Sequence, residues 1–387
     1  MRKNKAAIVF AICLATIITS FTFHSVPRHD FIEYWTAAHA LLKRQNPYSL
    51  DLMRQLQQPL SQQNDEVLMV VSPPQFLPFV LPLGFVQSYL FARILWLVLS
   101  VGALVLGITL LWDLYGGDSD RLWIGLCVSA LFFPVWHCLA VAQIGPLLLL
   151  GVAGFLWLER QRRPYLAGAA LALTTAKPHL VYLIWLVLLF WSITKRDIRI
   201  LAGAMVSILL ALTAVLLLDP AAISQYVDLA RTGYVWTYVA GAGGLLRSWL
   251  GPEKHLLQFV PMLPGLAALA YLWLRHESDW DWRDRMPLLL TISVLTSAYG
   301  WPFDEVVLLV PVLMLAAKCV VEVQARGQAL LWLILTFVAT LLVVLGCGDA
   351  AGMVVCATSV LGYLTYDATH RAAKEEVFLL QVETEAE

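Results

Sequence analysis

SYLFARILWLVLSVGALVLGITLLW, residues 88–112, carries a single charge, Arg93, over more than the roughly 20 residues an α-helix needs to cross a hydrocarbon core. The run is continuously apolar rather than alternating, which excludes a transmembrane strand and leaves a helix, whose backbone polar groups bond one another. Similar runs lie outward from it at 122–139, 145–158, 165–176, 180–193, 198–218, 257–274, 287–299, 305–321, 329–345 and 353–366. Another, at 6–23, follows the basic start Met1-Arg-Lys-Asn-Lys5. Of the 387 residues 60% are hydrophobic and 14% charged, against about 45–50% and 25% in soluble domains. The fold class that follows is an all-α polytopic membrane protein of about twelve transmembrane helices.

The same figures exclude other classes. Lys plus Arg number 26 and Asp plus Glu 27, so no basic field gathers nucleic acid. Cys13, Cys127, Cys138, Cys319, Cys347 and Cys356 all sit in apolar stretches without a C-x-x-C pair. They read as packing residues, neither a disulfide framework nor a metal site.

Cations set the orientation. The basic segments at 159–163, 195–199, 275–285, 318–326 and 370–374 are separated by pairs of runs, so all five lie on one side, with the N-terminus, if that side is cytoplasmic. The stretch 67–86, VLMVVSPPQFLPFVLPLGFV, would break this parity by crossing. Its prolines at 73, 74, 78 and 82 make it a broken or interfacial helix instead. Run 6–23, with no clear cleavage site, reads as an uncleaved first helix. The expectation is one embedded domain over 1–387, with outer loops at 24–87 and 219–256 and a cytoplasmic tail at 367–387.

Ionisable groups left on the outer side are the candidates for chemistry, because charge at a membrane interface is costly. Asp30, Glu33 and Tyr34 share one face of a short helix at i, i+3, i+4; a solvated loop helix is the plainer account. Lys177, in Lys177-Pro178-His179, is either a snorkelling anchor or an ammonium placed for a phosphate. Asp304 and Glu305, after Trp301-Pro302-Phe303, suit a helix cap and a site equally. Gln143-Ile144-Gly145 alone indicates only a turn. Loop 219–256 adds Arg231, Arg247 and aromatic residues including Tyr226, Tyr234, Trp236 and Tyr238, as an interfacial belt or as faces for a sugar.

The order of these features resembles the integral-membrane C-type glycosyltransferases, and among them glycosyltransferase family 87, the polyprenyl-phosphate-mannose-dependent mannosyltransferase group. The likeness rests on a basic N-terminus and one helix, an outer loop opening Asp30-x-x-x-Tyr34 and running to Asn46-Pro47-Tyr48, then Ser72-Pro73-Pro74, Ala176-Lys177-Pro178 and Trp301-Pro302-x-Asp304-Glu305. It implies the C-type architecture with a long first outer loop. It also implies inverting transfer of a hexose, mannose by likeness, from a polyprenyl-phosphate donor to a lipid or glycan acceptor at the outer face of a bacterial inner membrane, among membrane lipids. By the same likeness Asp30 is the catalytic aspartate, Lys177 holds the donor phosphate and Asp304 is the late-turn residue; an inverting transfer needs one base and a cation for the leaving phosphate, roles that suit Asp30 and Lys177 with Arg231 or Arg247. Glu33, Tyr34 and Asp304 shape the sugar pocket in the same chemistry, with His179 a further substrate-binding candidate; no cofactor is expected, while Asp30, Glu33 and Asp304 leave a divalent metal open as hard oxygen ligands. The chain departs from relatives in reading Ala142-Gln-Ile-Gly145 where they have G-Q-x-N, and in lacking an N-x-S near Gly241-Ala-Gly-Gly244. The alternatives are a secondary transporter or a lipid-linked sugar flippase, for which ionisable residues near the membrane midplane are expected rather than at helix ends.

Overall fold

The computed structural model describes residues 30–60, 66–232, 234, 240–321 and 326–365. The expected first helix at 6–23, the tail at 367–387, Trp236 and Tyr238 lie outside the described residues, and with them the placement of both termini. Every regular element among the described residues is helical. In chain order these are α1 (Phe31–Leu42), α2 (Leu50–Gln57), α3 (Tyr89–Leu114), α4 (Leu122–Leu131), α5 (Phe133–Val141), α6 (Gly145–Arg160), α7 (Pro164–Ala172) and α8 (Tyr182–Thr194). They continue as α9 (Arg199–Leu218), α10 (Ala222–Arg231), α11 (Ala242–Leu250), α12 (Met262–His276), α13 (Trp282–Leu295), α14 (Leu309–Val321), α15 (Arg326–Cys347) and α16 (Asp349–Thr365).

The run at 88–112 becomes α3, capped by the Ser88 hydroxyl, which accepts the Phe91 N–H at 3.3 Å. Among the described residues three helical segments are long and apolar enough to cross a membrane: Tyr89–Leu114, Arg199–Leu218 and His255–His276. A fourth arises if Ser119–Leu131 and Phe133–Val141, bent by 68°, count as one. Large apolar side chains stand exposed along them, including Leu90, Val98 and Leu99 on α3, Leu209, Leu210 and Leu217 on α9, and Leu263 and Leu274 on α12. Such surfaces suit lipid and not water.

The expected count of about twelve crossings is not reached by length and composition. The physical reason is that tight 3-10 turns take up the ends of the later runs. Leu173–Ala176 and Pro178–Val181 separate α7 from α8, and Pro302–Leu308 precedes α14, so the apolar helices between are short. The stretch 67–86 is broken as its prolines require, into Pro74–Phe76, Leu77–Val80 and Leu81–Phe85.

Close packing builds the frame. α6 lies between α3 and α7, and α9 runs along α7. Gly168 of α7 and Gly203 of α9 permit that approach: a β-carbon at the first would strike the Ile200 carbonyl oxygen, and one at the second the Tyr165 carbonyl oxygen. Small residues at helix contacts are how helices associate where the hydrophobic effect supplies no drive. α1 is nearly all interior, with Phe31, Tyr34, Ala37, Ala38 and Leu41 buried along with Glu33, Thr36 and His39. The solvated-helix account of its acids therefore fails.

Candidate active site

Two turns meet at the site, and each positions one carboxylate. The first follows α5, which ends at Ala142 in a left-handed conformation (φ 60°, ψ 39°) that reverses the chain and lets Gln143 N–H donate to the Cys138 carbonyl at 3.0 Å. A residue with a β-carbon is strained there. Three sets of hydrogen bonds fasten this turn to its surroundings. Asp30 N–H donates to the Val141 carbonyl at 3.0 Å, and Trp96 Nε1 donates to the Ala142 carbonyl at 2.9 Å. The third is the Gln143 side chain, whose Nε2 donates to Asp30 Oδ2 at 2.6 Å while its Oε1 accepts the Tyr34 hydroxyl at 2.9 Å. One neutral amide thus locks the i, i+4 pair of α1. The sequence gives Gln143 no charge to attract notice; its one signal is that Ala142-Gln-Ile-Gly keeps the glutamine of the G-Q-x-N pattern.

The second turn opens Pro302–Leu308. Asp304 Oδ1 pairs with Lys177 Nζ at 2.6 Å and its Oδ2 accepts the Trp301 N–H at 3.1 Å, so capping and ion pairing coexist in one side chain. The pair is buried, with side-chain exposures of 11% for lysine and 1% for aspartate. Lys177 Nζ also stands 4.9 Å over the Phe303 ring. The two turns touch through Gly145, where a β-carbon would come 2.5 Å from Val306 Cγ1 and 2.8 Å from Cys138 Sγ. This contact accounts for glycine at the last position of the pattern, because the 302–308 turn occupies the space an asparagine would need; nothing in the structure explains alanine at 142.

Electrostatics separate the acids. Burial raises the Asp30 carboxyl above its usual range; the Gln143 hydrogen bond and the Lys177 charge pull it back, and Asp304 pushes it up. Burial, with Asp30 beside it, holds Glu33 well above the ordinary carboxyl range and favours the neutral acid. Burial and then the Lys177 charge push the His179 imidazole down to about 3, leaving a neutral ring packed edge-on to Tyr299 at 5.2 Å.

A cavity of about 960 Å3, within the size range of ligand sites, opens beside the ion pair. Lys177, His179, Trp301 and Asp304 line its charged end. Its sides come from the two segments expected as outer loops. Tyr234 O–H donates to the Val67 carbonyl at 3.0 Å and accepts the Met69 N–H at 3.2 Å, while Gln57 fixes the same extended segment by bonding both polar groups of Leu68. Asp30, Glu33 and Tyr34 are not cavity-lining residues; they lie at the start of α1, where Asp30 and Tyr34 bond the Gln143 side chain.

The structure does not bring the two arginines to Lys177. Arg231 is exposed and paired with Asp228 at 3.4 Å. Arg247 is buried among the Pro252 carbonyl, Gln258 Oε1 and His255 Nδ1, holding loop 251–258. Arg54 does line the cavity and was not anticipated. Among the described residues no three His, Cys, Asp or Glu side chains converge as a metal-binding group.

A match to glycosyltransferase family 87 spans residues 71–298, taking in Gln143 and Lys177 and stopping short of Asp30 on one side and Asp304 on the other. No curated protein and no solved structure matches the chain. Because that match covers more than half of a sequence whose long helices are apolar, the chain is a membrane protein belonging to glycosyltransferase family 87.

Proposed function

We propose that this glycosyltransferase moves a hexose, mannose by resemblance, from a polyprenyl-phosphate carrier to a lipid or glycan acceptor on the outer face of the cytoplasmic membrane, inverting the anomeric carbon. In this reading the short apolar helices cross in broken or tilted form, giving about twelve crossings with both termini cytoplasmic. The observation that carries it is the buried Lys177–Asp304 pair in the wall of a 960 Å3 cavity, on a turn that touches the one to which Asp30 is bonded.

A donor phosphate entering beside Lys177 takes Asp304's place on the ammonium, since phosphoryl and carboxylate oxygens are alternative partners for the same cation. The Asp30 carboxylate accepts the proton of the acceptor hydroxyl as that oxygen attacks the anomeric carbon. The bond from that carbon to the phosphate oxygen breaks, and the lipid phosphate leaves with the electron pair, its charge met by Lys177. Attack opposite the leaving group inverts the centre, and Asp30 then releases its proton to solvent. Gln143 and Tyr34 keep the carboxylate aimed throughout. Because a phosphate leaves readily once its charge is met, a cation matters more here than a general acid.

The test offers the full chain, in proteoliposomes, radiolabelled polyprenyl-phosphate mannose or a nucleotide-linked mannose. Consumption of the lipid-linked donor alone is expected. Use of the nucleotide sugar, or uptake of free labelled sugar without transfer, contradicts the proposal.

A further inference from the structure

Trp301 lines the large cavity together with Lys177 and Asp304, and its indole has no part in the steps above. We infer that Trp301, on the transferase reading above, is the platform for the pyranose ring of the lipid-linked donor, meeting the ring's C–H face while Lys177 holds its phosphate. Sugar C–H groups carry partial positive charge and are drawn to the electron-rich face of an indole, which also covers their apolar surface.

One carboxylate joins the platform to the cation. Asp304 Oδ1 meets Lys177 Nζ at 2.6 Å while its Oδ2 accepts the Trp301 N–H at 3.1 Å, so the ammonium and the backbone that carries the indole sit on the two oxygens of one side chain. A glycosyl phosphate asks for such closeness, because a single oxygen separates its ring carbon from phosphorus. The indole is also held in place. It stacks on the Phe303 ring with 5.8 Å between centroids and 8° between planes. Phe303 is itself fixed by the Lys177 ammonium at 4.9 Å and by the His137 ring, which packs edge-on at 5.6 Å. Behind the turn, a β-carbon on Gly300 would strike Met353 Cε of α16, so the backbone between Tyr299 and Trp301 rests on a buried side chain. A ring fixed before the ligand arrives loses little freedom on contact.

An interfacial-belt tryptophan turns its ring toward the headgroups. Trp301 is half-buried instead, lies on the nearly buried Phe303 and lines the cavity. The cavity's other aromatic side chains are engaged elsewhere: Tyr226 with Tyr48, Tyr299 with His179 and Phe259, and Tyr234 with the 67–69 backbone. Trp301 shares its turn with the ion pair. His179 lines the same cavity, and a neutral imidazole both donates and accepts, as a ring hydroxyl requires.

The experiment compares polyprenyl-phosphate mannose with bare polyprenyl phosphate as ligands of the full chain in lipid nanodiscs, for wild type, Trp301→Leu and Trp301→Phe. Wild type is expected to bind the sugar-bearing lipid more tightly. Trp301→Leu should weaken that lipid by about threefold to tenfold and leave bare polyprenyl phosphate unchanged, which shows that the variant is folded, while Trp301→Phe keeps most of the preference. No preference in wild type, equal loss of both lipids in Trp301→Leu, or no loss of either overturns the platform and leaves the phosphate site at Lys177 standing. Wild type that binds neither lipid overturns the transferase reading along with it, so the two failures are distinguishable.

Discussion

The turns at 141–145 and 301–305 each lead into a helix and touch one another through Gly145 and Val306, yet they hold their carboxylates in opposite ways. Asp304 gives one oxygen to an ammonium and the other to a backbone N–H. Asp30 is held by a neutral amide, in a setting whose burial raises its affinity for a proton. A carboxylate committed to a cation serves as a placeholder for another anion, while one steered by an amide is free to take a proton. Under the proposed function, the contrast fits phosphate exchange to the second turn and base chemistry to the first.

Lys177→Met attacks this contrast hardest. It leaves Asp304 buried without its cation, a loss of about 3–5 kcal/mol, seen as a lower melting temperature, and it abolishes transfer. The double variant Lys177→Met/Asp304→Leu should regain most of the stability and none of the transfer. Recovery of transfer would show that the pair is merely structural.

Gly145→Asn comes next. It restores the residue of the G-Q-x-N pattern but forces a side chain against Val306 and Cys138, at a cost of about 1–3 kcal/mol in thermal unfolding. Unchanged stability would mean that the turns are not tightly joined.

Gln143→Leu sharpens the role of the first turn through pH. The group that must lose its proton before reaction is Asp30, and burial raises its pKa, so the rate climbs with pH on a limb lying above the ordinary carboxylate range. Hydrogen-bond donation from Gln143 favours the charged form. Its loss raises the pKa further and moves that limb to higher pH, and a pH–rate profile whose limb stays or moves down contradicts the assignment. Ala142→Gly has the smallest effect, an increase in stability of up to about 1 kcal/mol from relief of the left-handed strain, partly offset by glycine's unfolded-state entropy.

These turns also mark how far the sequence could be read. Runs such as 88–112 gave helix type and place, because twenty-odd apolar residues admit one backbone solution in lipid. The breaks near Pro178 and Pro302 were harder to weigh, and several expected crossings emerged as short pieces. Lys177 and Asp304 were each found by their charge on the outer side, but their pairing joins residues 127 apart, and spacing carries no signal of that kind. Gln143 reads from sequence as no more than part of a turn, because an amide there has no net charge. Arg231 and Arg247 were favoured for the same property that Gln143 lacks, and the structure spends both locally, on Asp228 and on loop 251–258. Charge finds candidates; only packing shows whether they face one another.

The claim on which the account turns is that Asp30 is the base. Full-length wild type and Asp30→Asn, reconstituted together with polyprenyl-phosphate mannose and the cell's own lipid and glycan acceptors, should differ in transfer rate by about 10²–10⁴-fold at equal folded protein, because the amide keeps the shape and cannot take the proton. Transfer by Asp30→Asn at a rate near wild type would contradict it.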